Sequence, residues 1–116
     1  YYEGFKSLPE IDTPQRDDCC SKSSWSIYII KALGGSKIYG KPSVDRNALQ
    51  KFLQEKNIQT SVHYFPNHLL SIFADYKTKL PFAEGLFNII LSLPMHLKLT
   101  NKDVKYVIKC VKEFYK

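Results

Sequence analysis

Long apolar runs are missing from this chain. The best stretch, residues 86–93, is interrupted by Asn88 and Ser92, far short of the roughly 18 to 20 apolar residues that a membrane-spanning helix needs. No membrane partner is expected, and the expectation is a soluble, cytoplasmic protein. Tyr1-Tyr2-Glu3-Gly4-Phe5 offers neither the charged start nor the apolar core of a secretory signal, and there is no initiator methionine, so the first residue reads as a cut inside a longer chain. Cysteine is scarce and odd in number: Cys19 and Cys20 are adjacent and Cys110 is remote. That excludes a disulfide framework and a paired metal-ligand spacing, and free thiols in a reducing compartment are expected. Among the five glycines, Gly34-Gly35 is not followed by a phosphate-loop pattern, and no GxxxxGK[ST] occurs. Arginine is limited to Arg16 and Arg46, although groove reading and phosphate clamping favour the guanidinium fork.

What is present suits one small globular domain. The chain has 116 residues, 44% hydrophobic and 24% charged, and a domain of this size buries about 65% of the surface of its unfolded form. The formal charge of +6 is concentrated at the end: Lys98, Lys102, Lys105, Lys109, Lys112 and Lys116 stand against only Asp103 and Glu113. This distribution reads first as a solvated helix face, and a nucleic-acid footprint is not expected. It does leave one alternative of a different class, a stand-alone α+β module that docks an anionic partner such as RNA.

Periodicity divides the chain into elements. Tyr1, Tyr2, Phe5 and Leu8 have helical spacing and Pro9 closes the segment, so residues 1–8 read as the end of a helix and 9–23 as a connector. Residues 25–33 read as a β-branched and aromatic strand buried on both faces, ended by Gly34-Gly35, with a surface loop to Pro42. Ser43 is placed to cap a helix whose face carries Val44, Ala48, Leu49, Phe52 and Leu53, and Asn57 suits the left-handed position that stops it. A short strand over 58–64 is expected, broken by Pro66, then a short helix capped by Asn67 and running to Phe73. Pro81 starts a helix that buries Phe82, Leu86, Phe87 and Ile90 and ends at Ser92-Leu93-Pro94. Gly85 within it points to close packing. Thr100 and Asp103 approximate a capping box for a last helix with the stripe Val104, Val107, Ile108, Val111, Phe114 and Tyr115. Strands interleaved with helices make an α+β, two-layer fold, a sheet covered by helices.

The polar run Thr60-Ser61-Val62-His63-Tyr64-Phe65-Pro66-Asn67-His68 places two of the three histidines five residues apart at an expected strand end, where binding side chains usually project. A zinc site would need a third ligand, and only His96 is left among the histidines. The cysteines have no histidine beside them, which argues against thiol catalysis. The plain reading of His63 and His68 is a pair of hydrogen-bonded histidines with no ligand.

The order of the blocks adds a resemblance. Asp45-Arg46-Asn47-Ala48-Leu49, Asn57-Ile58-Gln59-Thr60-Ser61-Val62-His63-Tyr64-Phe65-Pro66-Asn67-His68, Leu80-Pro81-Phe82-Ala83-Glu84, Leu91-Ser92-Leu93-Pro94-Met95 and Leu99-Thr100 with Asp103-Val104-Lys105-Tyr106-Val107-Ile108 resemble the C-terminal end of the DegT/DnrJ/EryC1/StrS aminotransferases. Ser24-Trp25-Ser26-Ile27-Tyr28-Ile29-Ile30 matches upstream. Ser26 departs from the histidine of many relatives, and Asn67 from a small apolar residue.

The resemblance implies that residues 1–116 form the small C-terminal domain of a fold type I, pyridoxal 5'-phosphate (PLP)-dependent enzyme. Its partners would be an N-terminal PLP-binding domain and a second subunit in a homodimer. It also implies amino transfer, commonly from glutamate, to a keto sugar on a nucleotide. The cofactor's lysine and phosphate anchors would lie upstream, so the chain alone would hold no PLP and be inactive. His63 and Tyr64 match the family's HY at the edge of the active site and His68 the histidine two residues past its proline, which assigns all three to substrate binding. An imidazole and a phenol can donate hydrogen bonds to sugar hydroxyls without adding a fixed charge.

Overall fold

A computed structural model describes residues 1–15, 23–34, 44–76 and 78–116. The expected Ser43 cap, the loop through Pro42 and Cys19-Cys20 lie outside these residues. The elements run α1 (Tyr2–Phe5), β1 (Ile11–Asp12), β2 (Tyr28–Ala32), α2 (Val44–Glu55), α3 (Pro81–Ile89), β3 (Ile90–Leu93) and α4 (Asn101–Phe114), with two 3-10 turns between α2 and α3 at Asn67–Leu69 and Ser71–Tyr76. The strands form an antiparallel sheet in the order β1-β2-β3, so the expected α+β architecture is observed.

Register decides which side chains enter the core. Tyr28 pairs with Leu93 and Ile30 with Leu91, and because alternate residues share a face, Tyr28, Ile30, Ala32, Leu91 and Leu93 form one apolar layer. Phe5, Leu49, Leu53, Val107, Cys110 and Val111 complete the core against it. This corrects the reading of 25–33 as a strand buried on both faces. The strand starts only at Tyr28, Trp25 has φ 49°, and Trp25 and Ile27 are exposed.

Helix α4 follows its sequence signals closely. The Thr100 hydroxyl accepts from the Asp103 amide at 3.3 Å, while Asp103 Oδ2 accepts from the Thr100 amide at 2.8 Å and its hydroxyl at 2.6 Å. These bonds hold the Asp103 carboxyl below its usual range, the Thr100 hydroxyl contributing most. Lys102, Lys105 and Lys109 are exposed on the outer side. Helix α2 ends as Asn57 predicts: at φ 59°, its amide donates to Gln54 O at 2.9 Å and the Ile58 amide to Leu53 O at 2.8 Å, the paired bonds of a Schellman end with Ile58 and Leu53 in the core. Ala48, expected on the buried face, is exposed.

Gly4 is needed where α1 crosses α4. A Cβ there would lie 2.5 Å from Ile108 Cδ1 and 2.9 Å from two further carbons of that side chain, so a larger residue would push the helices apart.

Three further expectations are corrected. Residues 58–64 make no regular strand: the pairing is a single bridge between Ser61 and Ser92, with amide-to-carbonyl bonds of 3.2 and 2.7 Å. Asn67 is the first residue of its turn and Pro66 occupies the cap position. Finally, α3 ends at Ile89 and the chain passes directly into β3. Gly85 and Ile89 are its buried residues, whereas Phe82 is 67% exposed.

Candidate functional site

The Ser61–Ser92 bridge carries the chain along the edge of the sheet and sets His63 beside β3. His63 Nδ1 lies 2.7 Å from Ser92 Oγ, and Ser92 itself is buried. With one ring nitrogen held, Nε2 is the remaining polar atom of His63. The imidazole lines a groove of about 460 Å³ between residues 57–63, residues 92–99 and the first turns of α4. His96 lines the same groove. The peptide between His63 and Tyr64 is cis, and the two rings meet edge to face at 4.7 Å. Tyr64 is 73% exposed, so its phenol stands free for a ligand.

His68 is placed differently. Its side chain is only 8% exposed, and Nε2 lies 2.9 Å from Glu84 Oε1. The same Glu84 oxygen accepts from the Leu80 amide at 3.2 Å. Glu84 thus satisfies an open amide at the start of α3 and grips the loop at once. Its carboxyl is held below the usual range, first by the His68 bond and then by the Leu80 amide. The structure therefore brings His63 and His96 together at the groove, leaves Tyr64 exposed next to His63 and outside the lining, and sets His68 against Glu84.

A second set of contacts fixes the loop from behind. Phe65 meets Phe87 edge to face at 5.2 Å, and the Arg46 guanidinium carbon lies 5.3 Å from the centre of the Phe87 ring. Arg46 is 7% exposed, its Nε has no hydrogen-bond partner among the described residues, and burial lowers its pKa. Stacking on the ring is one attraction that stabilises that charge. Neither Ser92, Glu84 nor Arg46 was singled out as a site residue from sequence. Ser92 and Glu84 lie 29 and 16 positions from the histidines they hold, and no local pattern marks such pairs.

The residues lining the groove do not suit PLP. Among the described residues the lining contains no lysine for a Schiff base and no lysine or arginine for the cofactor's phosphate, and the carboxylate that it does contain, Asp103, is committed to capping α4. No group of three metal-binding side chains occurs among the described residues, and none of their helices is long and apolar enough to cross a membrane. What the groove offers is a set of hydrogen-bonding side chains, Gln59, His63 and His96 among them, interspersed with apolar ones such as Met95 and Leu99.

Comparison with known proteins places this arrangement. Residues 1–112 match the model of the DegT/DnrJ/EryC1/StrS aminotransferase family. The spore coat polysaccharide biosynthesis protein SpsC of Bacillus subtilis is 30% identical over 122 aligned residues, covering 100% of this chain and 30% of its own. GDP-perosamine synthase of Escherichia coli O157:H7 is 30% identical, covering 99% of this chain and 29% of its own. In three dimensions the chain is similar to the aminotransferase TlmJ from Streptoalloteichus hindustanus, with a TM-score of 0.84 and 26% identity over 98% of this chain and 28% of that one. The chain thus spans about 30% of the length of the curated relatives it matches. With the family model matched over residues 1–112, the chain belongs to the DegT/DnrJ/EryC1/StrS aminotransferase family.

Proposed function

We propose that this chain serves as the small C-terminal domain of a PLP-dependent nucleotide-sugar aminotransferase. In this reading residues 1–8 end an interdomain helix, 9–23 lead from it into the domain and already lend β1 to its sheet, and the enzyme is a homodimer. The overall reaction would move an amino group from glutamate to a keto sugar nucleotide. PLP, when bound by the rest of the enzyme, supplies the electron sink for that chemistry. This chain's part is positioning. His63, with Nδ1 held by Ser92, and the exposed Tyr64 hydroxyl would hold sugar hydroxyls in register. His68 would act through Glu84, keeping the loop in place, instead of by the direct contact expected from the resemblance.

The observation that carries this reading is the family match together with an HY pair whose imidazole is oriented from inside the protein and whose phenol is open. The test begins upstream of the Tyr1 codon in the source gene. An open frame continuing for about the length that the relatives possess beyond the match is expected, and the longer protein should transfer an amino group from glutamate to a keto sugar nucleotide. His63→Ala in that protein should lower kcat/KM by about tenfold or more, the loss of one or two oriented hydrogen bonds. Unchanged kinetics would remove His63 from the site.

A further inference from the structure

Ser92 is a polar residue in the otherwise apolar strand β3. Its backbone amide and carbonyl are both engaged in the bridge to Ser61, at 2.7 and 3.2 Å, and its neighbours Leu91 and Leu93 are buried in the core. Alternation puts the Ser92 side chain on the opposite face, next to Ile29, its partner in β2. There the residue is only 4% exposed. Among the described residues, the hydrogen-bond partner of its hydroxyl is His63 Nδ1, at 2.7 Å. Ser61 secures that contact from the other side, because the bridge holds the backbone just before the imidazole.

A hydroxyl and a neutral imidazole can bond in either direction, and the surroundings choose between them. If Nδ1 carried the proton it would donate to Oγ, and the hydroxyl hydrogen would need a second acceptor in a buried place. No second bond of this hydroxyl occurs among the described residues. A buried donor without an acceptor disfavours that arrangement by about fivefold or more. If the hydroxyl donates to Nδ1 instead, both groups are satisfied and the ring's proton sits on Nε2.

We propose that Ser92 is the positioning residue of His63, its hydroxyl donating to Nδ1 and fixing the neutral imidazole as the Nε2–H tautomer. The ring then serves the groove that it lines as a hydrogen-bond donor. With the proton on Nε2 there is no lone pair at that atom, so His63 does not act as a base through it, and the ligand atom that it contacts is an acceptor. The edge-to-face contact with Tyr64, at 4.7 Å, holds the plane of the same ring. The catalytic consequence rests on the reading of His63 as a substrate-side group in an aminotransferase, whereas the tautomer does not depend on it.

The test uses the isotope-labelled 116-residue chain at a pH well above the ordinary histidine value of about 6.5. Long-range proton–nitrogen correlation should show His63 Nδ1 at the shift of an unprotonated nitrogen and Nε2 at that of a protonated one. Ser92→Ala should move both towards the values of an unrestrained histidine, and Ser92→Thr, which keeps the hydroxyl, should restore them. Ser92→Cys, close in size and a weaker donor, makes the same comparison should Ser92→Ala fail to fold. The proposal is overturned if the parent carries the proton on Nδ1, or if removal of the hydroxyl leaves both shifts in place. In the longer protein, Ser92→Ala should lower kcat/KM by about fivefold, one hydrogen bond's worth, and have no further effect beside His63→Ala, because it acts through that ring. Losses that add would overturn the positioning role. The two readings fail separately. An Nε2–H ring set by Ser92 in a protein whose amino transfer ignores His63→Ala sinks the substrate-side reading alone, and His63-dependent amino transfer with the proton on Nδ1 sinks the tautomer alone.

Discussion

Helix α4 and the segment 64–82 are both rich in large apolar side chains, and the fold treats them in opposite ways. In α4 the stripe at 3.6-residue spacing seats Val107, Cys110 and Val111 in the hydrophobic core, the helix packing on α1 and α2, and Tyr106 is its large apolar residue in the open. In 64–82 the same kinds of residue are turned outward: Tyr64, Phe65, Leu69, Leu70, Ile72, Phe73, Tyr76, Leu80 and Phe82 are all exposed. The difference is geometric. An α-helix gathers its apolar residues onto one stripe, whereas the short 3-10 turns Asn67–Leu69 and Ser71–Tyr76, with three residues per turn and a kink at Phe73, spread them round the segment. One region is a scaffold that completes itself. The other, which begins with the HY pair, leaves its large apolar side chains open to solvent.

The contrast is tested most strongly by paired truncations. Leu91→Ala removes a side chain with no solvent exposure from the centre of the sheet and should cost about 2 to 5 kcal/mol, a large share of the roughly 5 to 15 kcal/mol available to a small domain. Chemical denaturation of both proteins measures it. A loss below about 1 kcal/mol would mean that the sheet repacks and that the two regions are alike.

A smaller effect sharpens the scaffold side. Thr100→Ala deletes the cap of α4 and should cost about 1 kcal/mol. Its pH dependence carries a sign. The Asp103 carboxyl is held low in the folded state, so its contribution is complete above the unfolded carboxylate range, near pH 4, and is lost as pH falls through the lowered folded value. The difference in Tm between the parent and Thr100→Ala should therefore be constant from pH 7 to about 5 and narrow in stronger acid. A gap that widens on acidification would contradict the capping assignment.

Legibility in the sequence follows how local the determinants are. The start and face of α4, the stop at Asn57 and the restart at Pro81 are set by residues within one turn of the event, and they were readable. Strand β3 was not, because Ile89, Ile90, Leu91 and Leu93 continue the apolar character of α3 with no turn residue between. What makes Ile90–Leu93 a strand is its pairing with β2, some sixty residues earlier in the chain. The same holds for 25–33, where composition suggests a strand but only its pairing with β3 and β1 sends Tyr28, Ile30 and Ala32 inward and leaves Ile27 outside. At the site, His63 and His68 were indistinguishable by neighbourhood. Their distant partners, a buried hydroxyl for one and a carboxylate for the other, separate an imidazole at the groove from one that bonds Glu84.

The smallest expected effect on stability tests the other side of the contrast. Ile72 is 79% exposed, and Ile72→Ser should change the unfolding free energy by no more than about 0.5 kcal/mol, the usual range for a surface position. Its effect should appear elsewhere. Removing a large apolar side chain from an open patch weakens contacts between copies, so sedimentation of the 116-residue chain should show less self-association than the parent at equal concentration. Coupled results of this kind, neutral in stability and visible in association, are what a face awaiting a partner predicts. A loss of stability comparable to Leu91→Ala would instead show that Ile72 is covered within the chain, and the division between a finished scaffold and an open segment would fall with it.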